Sequence, residues 1–370
     1  MTKTFKTIFL FLVLIALFIG SCKKKESEVK TPFDKKAMLH DMGEIVIKPL
    51  HQRFMQECGE LVMAAQNFST QKDSATLFAY QFQWKETRHW WKQCEAYILG
   101  APAELYINFK IDKWPTNQTF IDNNISGSAV LNEAFVESQG STAKGFSAIE
   151  YLVFNTGGDS LVLKNFTTDI NATRRMDYLL ALSLNLQTKA TYLLQVWSDY
   201  LPDFETTDRT DIYGSVSKLI NAQAALLEQM VNTKLGYPLG KSNGDVALPE
   251  SVEDYLSKES LNDIRINLAG IQEAYLCSFD GNSGKGLRDL LNYNEAKKGD
   301  ILLSAAIDNK FAECFAALDK ISSPLSEAVV SQKTDVEDLY IKIRDLLILY
   351  KADMADNLGV TITFNDNDGD

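Results

Sequence analysis

Apolar side chains recur every three or four positions over most of the chain. In residues 39–61, Leu39, Met42, Val46, Leu50, Phe54, Cys58 and Leu61 form one stripe, the spacing that collects side chains on one face of an α-helix. Pro49 interrupts the stripe and is expected to kink it, because proline lacks an N–H and its ring crowds the carbonyl four residues back. A second helix is expected from about 72 to 99, carrying Phe82, Trp84, Trp90, Trp91 and Tyr97, with Gly100-Ala-Pro102 as its stop. Helices are also expected at about 128–138, 147–154, 170–200 and 212–235.

Two stretches break the rhythm. Residues 103–125 contain Ile111-Asp-Lys-Trp-Pro115 and Asn123-Asn124 and read as a long irregular connection with one short helix, the kind of loop that often carries function. Residues 235–245 form a second break. Beyond it, Leu261, Ile264, Leu268, Ile271 and Tyr275 make another stripe, with an N-cap expected in Ser260-Leu-Asn-Asp263. Thr334-Asp-Val-Glu337 reads as a capping box for a helix carrying Val336, Leu339, Ile343, Leu346, Tyr350 and Met354, ended by Asn357-Leu-Gly359. No segment sustains strand alternation. The expected fold is all-α, two packed helical bundles at 33–205 and 206–370. Glu95-Ala-Tyr97 and Glu273-Ala-Tyr275, with Arg88 and Arg265 upstream, form a faint echo that hints at duplication.

The first residues change the picture. Lys3 and Lys6 precede an apolar run from Ile8 to Ile19, of signal-peptide length and short for a membrane span. It ends in Ile19-Gly20-Ser21-Cys22, similar to a bacterial lipobox. The expectation is a signal over 1–21, cleavage before Cys22 and acylation of that cysteine, with 22–32 as a charged, flexible tether. This places the body in the bacterial cell envelope, held to a membrane by lipid. The lysines after Cys22 favour the periplasmic face of the outer membrane.

A formal charge of −12 argues against nucleic-acid binding. Cys58, Cys94, Cys277 and Cys314 are widely spaced, without CxxC, and read as buried thiols or disulfide partners alike. His40, His51 and His89 are the three histidines, too few for a multi-histidine metal site unless they converge. The tail Asn365-Asp-Asn-Asp-Gly-Asp370 begins like a calcium loop but lacks the closing glutamate, so a docked or frayed acidic terminus is expected.

Four segments carry a resemblance to the imelysin family, also called M75 peptidases, which includes iron-regulated bacterial lipoproteins. Thr87-Arg-His-Trp-Trp-Lys-Gln-Cys-Glu-Ala-Tyr97 resembles the family's Arg-x-x-Trp-Glu-x-x-Glu-Ala helix. Gly145-Phe-Ser-Ala-Ile-Glu150 resembles its Gly-x-His-x-x-Glu motif. Ser260-Leu-Asn-Asp-Ile-Arg-Ile-Asn-Leu-Ala-Gly-Ile271 and the acidic tail resemble two further family segments. The resemblance implies a pair of helical bundles with the motif near their interface, and a link to bacterial iron uptake. Two positions depart from it. Ser147 replaces the histidine, and Lys92 stands where the family helix tends to carry an acid.

Ser147 and Glu150 alone support a modest reading. A hydroxyl is a poor ligand for a borderline transition metal, and no Ser-His-Asp arrangement is legible. Ser147-Ala-Ile-Glu150 before an apolar run is a capping box. If a cation binds, Glu95 and Glu150 are the best ligands, with Arg88, Asp112, Gly145 and Ser147 as further site candidates. The expected function is non-catalytic binding in iron or haem acquisition, with iron or another divalent cation as ligand and the site at the bundle interface. An M75-like metallopeptidase stays open, as does a lipoprotein that binds an envelope protein or a glycan.

Overall fold

A computed structural model describes residues 31–363. Cys22, its tether and the tail from residue 364 lie outside the described residues. Helix α1 (Lys35–Asp41) runs through a π-helical turn (Met42–Ile47) into α2 (Lys48–Gln71). Pro49 sits in the first turn of α2, directly after the π turn; the wider turn loosens the backbone where the proline ring would crowd the Ile45 carbonyl. Every residue of the first stripe, Leu39 to Leu61, is fully buried.

Helix α3 (Ser74–Cys94) turns back along α2 and is capped by Asp73 and Thr76. It ends in a 3₁₀ turn, Glu95–Tyr97, five residues earlier than residue 99 on its regular part. The irregular connection contains α4 (Ala101–Glu104), α5 (Ile107–Ile111) and α6 (Gln118–Ser126), three short helices where one was expected. Then come α7 (Glu133–Ser138), α8 (Gly145–Val153), α9 (Asp159–Thr167) and the 35-residue α10 (Ala172–Thr206). Helix α10 lies along α2: the Trp197 and His51 rings are 5.6 Å apart.

The second half opens with α11 (Ser215–Gln229), which continues into a second π-helical turn, Met230–Gly236. After an irregular stretch, α12 (Ser260–Leu276) packs on α3. Their approach is close at Gly270, where a Cβ would lie 2.9 Å from the Gln93 carbonyl oxygen. Two small antiparallel hairpins, β1 (Ser278–Phe279) with β2 (Asn282–Ser283) and β3 (Lys297–Lys298) with β4 (Ile301–Leu302), flank α13 (Leu287–Tyr293). Helices α14 (Leu303–Leu318), α15 (Leu325–Ser331) and α16 (Lys333–Ile348) follow. A third π turn, Leu349–Met354, leads to α17 (Ala355–Leu358).

The all-α expectation holds, and Val336, Leu339, Ile343, Leu346, Tyr350 and Met354 are all buried. The cap expected at Thr334 is not formed. The N-cap of α16 is Gln332, whose side-chain oxygen accepts instead from Ser322 and Ser323 N–H at 3.1 and 2.9 Å. Within the described residues, 34–363 form one compact unit; the boundary expected at 205–206 falls at the end of α10. Cys58, Cys94, Cys277 and Cys314 are buried free thiols. Among the described residues no helix is long and apolar enough to cross a membrane.

Candidate functional site: a buried ion cluster

Three cations and their carboxylates meet where α3, α5, α8 and α12 converge. Arg88 and Lys92 lie one turn apart on α3, their side chains 1 % and 0 % exposed. Lys234 comes from the second π turn and is also buried. Arg88 Nη1 donates to Asp112 Oδ2 at 2.9 Å, Nη2 to Glu253 Oε1 at 3.2 Å and Nε to Asp263 Oδ2 at 2.9 Å. Asp254 Oδ2 lies 2.5 Å from the same Nε. Lys92 Nζ donates to Glu253 Oε1 at 2.8 Å, Asp112 Oδ2 at 2.9 Å and Glu95 Oε1 at 3.2 Å. Lys234 Nζ reaches Asn267 Oδ1 at 2.8 Å and Glu253 Oε2 at 2.9 Å.

Local backbone features deliver these groups. Gly145 has φ +73°, and a Cβ there would sit 2.0 Å from the Ile111 carbonyl oxygen. Only glycine permits that approach. It brings the end of α5 against the start of α8, so that Ser147 Oγ donates to Asp112 Oδ1 at 3.0 Å. Asp112 follows the last residue of α5, Glu95 opens the 3₁₀ turn, and Asp254 holds a left-handed φ of +53°. Asn267 on α12 donates to the Lys92 carbonyl at 2.7 Å and to Glu95 Oε2 at 2.8 Å. The site therefore stitches the first half of the chain to residues 253–267 of the second.

The expected capping box at Ser147–Glu150 is not formed. The N-cap of α8 is Lys144, with no side-chain cap bond. Ser147 turns to Asp112, and Glu150 Oε1 accepts from the Leu256 and Ser257 N–H groups at 3.1 and 2.8 Å. Ser260–Asp263 differs from expectation in the same way. The N-cap of α12 is Glu259; Ser260 Oγ donates to the Glu253 carbonyl and Asp263 pairs with Arg88.

Burial and charge split the carboxyls into two sets. Burial opposes ionisation of Glu253, but Lys234, Lys92 and Arg88 outweigh it and hold that carboxyl well below its ordinary range. Burial also opposes ionisation of Asp112, which Arg88 and Lys92 keep ionised. Glu150 is pushed up to about 7 by burial, despite its two backbone donors and the Arg88 charge. Burial also raises Asp254 well above its ordinary range, against the pull of Arg88, with the nearby Asp263 carboxylate adding to the rise. Burial thus favours the neutral form at Asp254 and Glu150, while the neighbouring cations favour the ionised form at Asp112 and Glu253.

Arg88, Glu95, Asp112, Gly145, Ser147 and Glu150 are all brought to this one place. The histidines are not recruited to the Ser147–Glu150 pair. His40 bonds Glu205 at 3.0 Å, His51 bonds the Ile47 carbonyl at 2.7 Å, and the His89 ring packs edge-on to Trp90. Sequence reasoning missed Lys234, Glu253, Asp254, Asp263 and Asn267 as site residues. Asp263 and Asn267 lie in a segment that carries the family resemblance. Glu253 and Asp254 lie in an irregular stretch, where periodicity is silent.

The profile of the imelysin peptidase family matches residues 47–348. The chain belongs to the imelysin family. An iron-regulated protein A from Synechococcus elongatus is 22 % identical over 303 residues, covering 79 % of this chain and 77 % of that protein. Among solved structures, a candidate iron-regulated protein A precursor from Parabacteroides distasonis matches with a TM-score of 0.72 at 19 % identity, covering 90 % of this chain and 97 % of the other. An imelysin-like protein from Psychrobacter arcticum matches with a TM-score of 0.72 at 16 % identity, covering 89 % and 97 %. These likenesses establish the imelysin fold.

A divalent cation does not fit the motif position of this imelysin. The hydroxyl of Ser147 replaces an imidazole, and the space between Glu95, Asp112 and Glu253 is filled by the Lys92 ammonium. Among the described residues no group of three or more His, Cys, Asp or Glu side chains is arranged to hold a metal ion.

Proposed function

We propose that this imelysin is a non-catalytic binding protein of iron acquisition in the bacterial envelope, anchored through an acylated Cys22. Family membership and the names of the iron-regulated relatives support the iron link. The observation that carries the non-catalytic part is the closure of the motif. The two carboxylates best placed to bind a cation, Asp112 and Glu253, are already paired with Arg88, Lys92 and Lys234, and no imidazole is present to serve as base or ligand. A metallopeptidase needs an open metal position for water and substrate, which this donor set does not offer. The motif acts as the joint between the two halves, and iron or haem is recognised elsewhere on the body.

The test combines two measurements on the mature chain. Incubation with an unfolded protein substrate and added zinc should give no cleavage. Calorimetric titration with haem, Fe²⁺ and Fe³⁺ should show binding of at least one. Chelator-sensitive cleavage would replace this reading with the peptidase; absence of binding to all three would remove the iron role. Loss of membrane attachment in Cys22→Ala checks the anchor.

A further inference from the structure

The ammonium of Lys92 is enclosed by carboxylates from three separate parts of the chain. Glu95 follows α3, Asp112 follows α5 and Glu253 belongs to the stretch before α12. Their oxygens stand 3.2, 2.9 and 2.8 Å from Nζ, and the side chain is 0 % exposed. An ammonium has three protons and no acceptor, so three carboxylate oxygens satisfy it completely. We propose that Lys92 is a built-in cation: its ammonium takes the place of a divalent ion among Glu95, Asp112 and Glu253, and its removal opens a site for one.

The charge arrangement makes the consequence specific. Without Nζ, Glu95 Oε1 loses its partner, Asp112 Oδ2 keeps only Arg88, and Glu253 keeps Arg88 on Oε1 and Lys234 on Oε2, so two cations are left to balance the three carboxylates and Asp263. Buried carboxylates short of positive charge are costly, and a small cation restores the balance. The donors are all oxygen, which selects hard ions such as Mn²⁺, Ca²⁺ and Mg²⁺. Metal–oxygen bonds of about 2.0–2.6 Å require the three carboxylates to close in slightly. The volume vacated by the lysine stem leaves room for waters to complete the shell, and Glu95, at 13 % side-chain exposure, is the most open of the three. This inference rests on the geometry of the cluster and is independent of the iron-acquisition reading.

The experiment counts Mn²⁺ bound to the mature chain by its electron paramagnetic resonance signal, beside thermal unfolding with and without MnCl₂. Lys92→Ala should bind one more Mn²⁺ per chain than the wild type, and its midpoint should rise with MnCl₂ while the wild-type midpoint stays put. Lys92→Ala/Glu253→Gln should bind that extra ion at least tenfold more weakly. If Lys92→Ala does not fold unaided, recovery on refolding with MnCl₂ supports the proposal just as well. A folded Lys92→Ala that binds no more Mn²⁺ than the wild type overturns it. So does a Lys92→Ala that folds under neither condition while the charge-balanced Lys92→Met/Asp112→Asn folds.

Discussion

The starts of α3 and α8 carry the same kind of sequence and do opposite things. At α3, Asp73 accepts from the Thr76 N–H at 2.9 Å and Thr76 Oγ1 accepts in return from the Asp73 N–H at 3.3 Å, a complete capping box on the surface. At α8, Ser147 and Glu150 are 2 % and 6 % exposed, and both turn away from their own backbone. The start of α12 repeats the second behaviour with Ser260 and Asp263. An exposed polar side chain meets only water and its own helix end, so the local bond wins. A buried one meets charges and backbone groups that water cannot reach, and leaving those unpaired costs from about 1 to several kcal/mol, which outweighs a local helix cap.

This contrast can be broken by substitution. Arg88→Met should have the largest effect, because it leaves Asp112, Glu253 and Asp263 short of their shared donor. A loss of about 4 kcal/mol is expected, read by denaturant unfolding. Gly145→Ala comes next at about 3 kcal/mol, since a Cβ must displace the Ile111 carbonyl from a left-handed position. Its destabilisation should be accompanied by loss of the Ser147–Asp112 bond, visible in the variant's structure.

Glu150→Gln tests the buried half of the comparison through pH. The folded pKa is raised from 4.5 to about 7, so the folded chain binds this proton more tightly than the unfolded chain. Stability from this group is fully present below about pH 4.5 and is lost as pH rises to about 7. The wild type should therefore lose up to about 3 kcal/mol relative to Glu150→Gln across that window, measured by parallel denaturant titrations. Ser147→Ala should cost about 1–2 kcal/mol, the value of one hydrogen bond to a charged group. Asp73→Ala should give the smallest loss of the set. If it exceeded Ser147→Ala, the ranking of buried over exposed polar pairs would fail.

Much of the fold is legible from periodicity. The stripes from Leu39 to Leu61 and from Val336 to Met354 are buried throughout, because a long amphipathic helix has one face to hide whatever its neighbours are. The site is legible in part. Arg88, Glu95, Asp112, Gly145, Ser147 and Glu150 follow from resembling segments and an irregular loop, and the structure brings them together. Lys234 escapes because it lies on a π turn in what reads as an ordinary helix. Glu253 and Asp254 escape because no periodic pattern covers them, and their role depends on Arg88, more than 160 residues away.

Local composition by itself determined the helices and their buried faces, since these depend on backbone sterics and on hiding apolar surface. The family could be recognised from four short segments for the same reason. Tertiary structure alone decided what the polar residues do. Whether Ser147 caps a helix or serves Asp112, whether Glu150 is ionised and whether Lys92 faces water or three carboxylates are questions of distance and dielectric. Both quantities are set only when α3, α5, α8 and α12 come together.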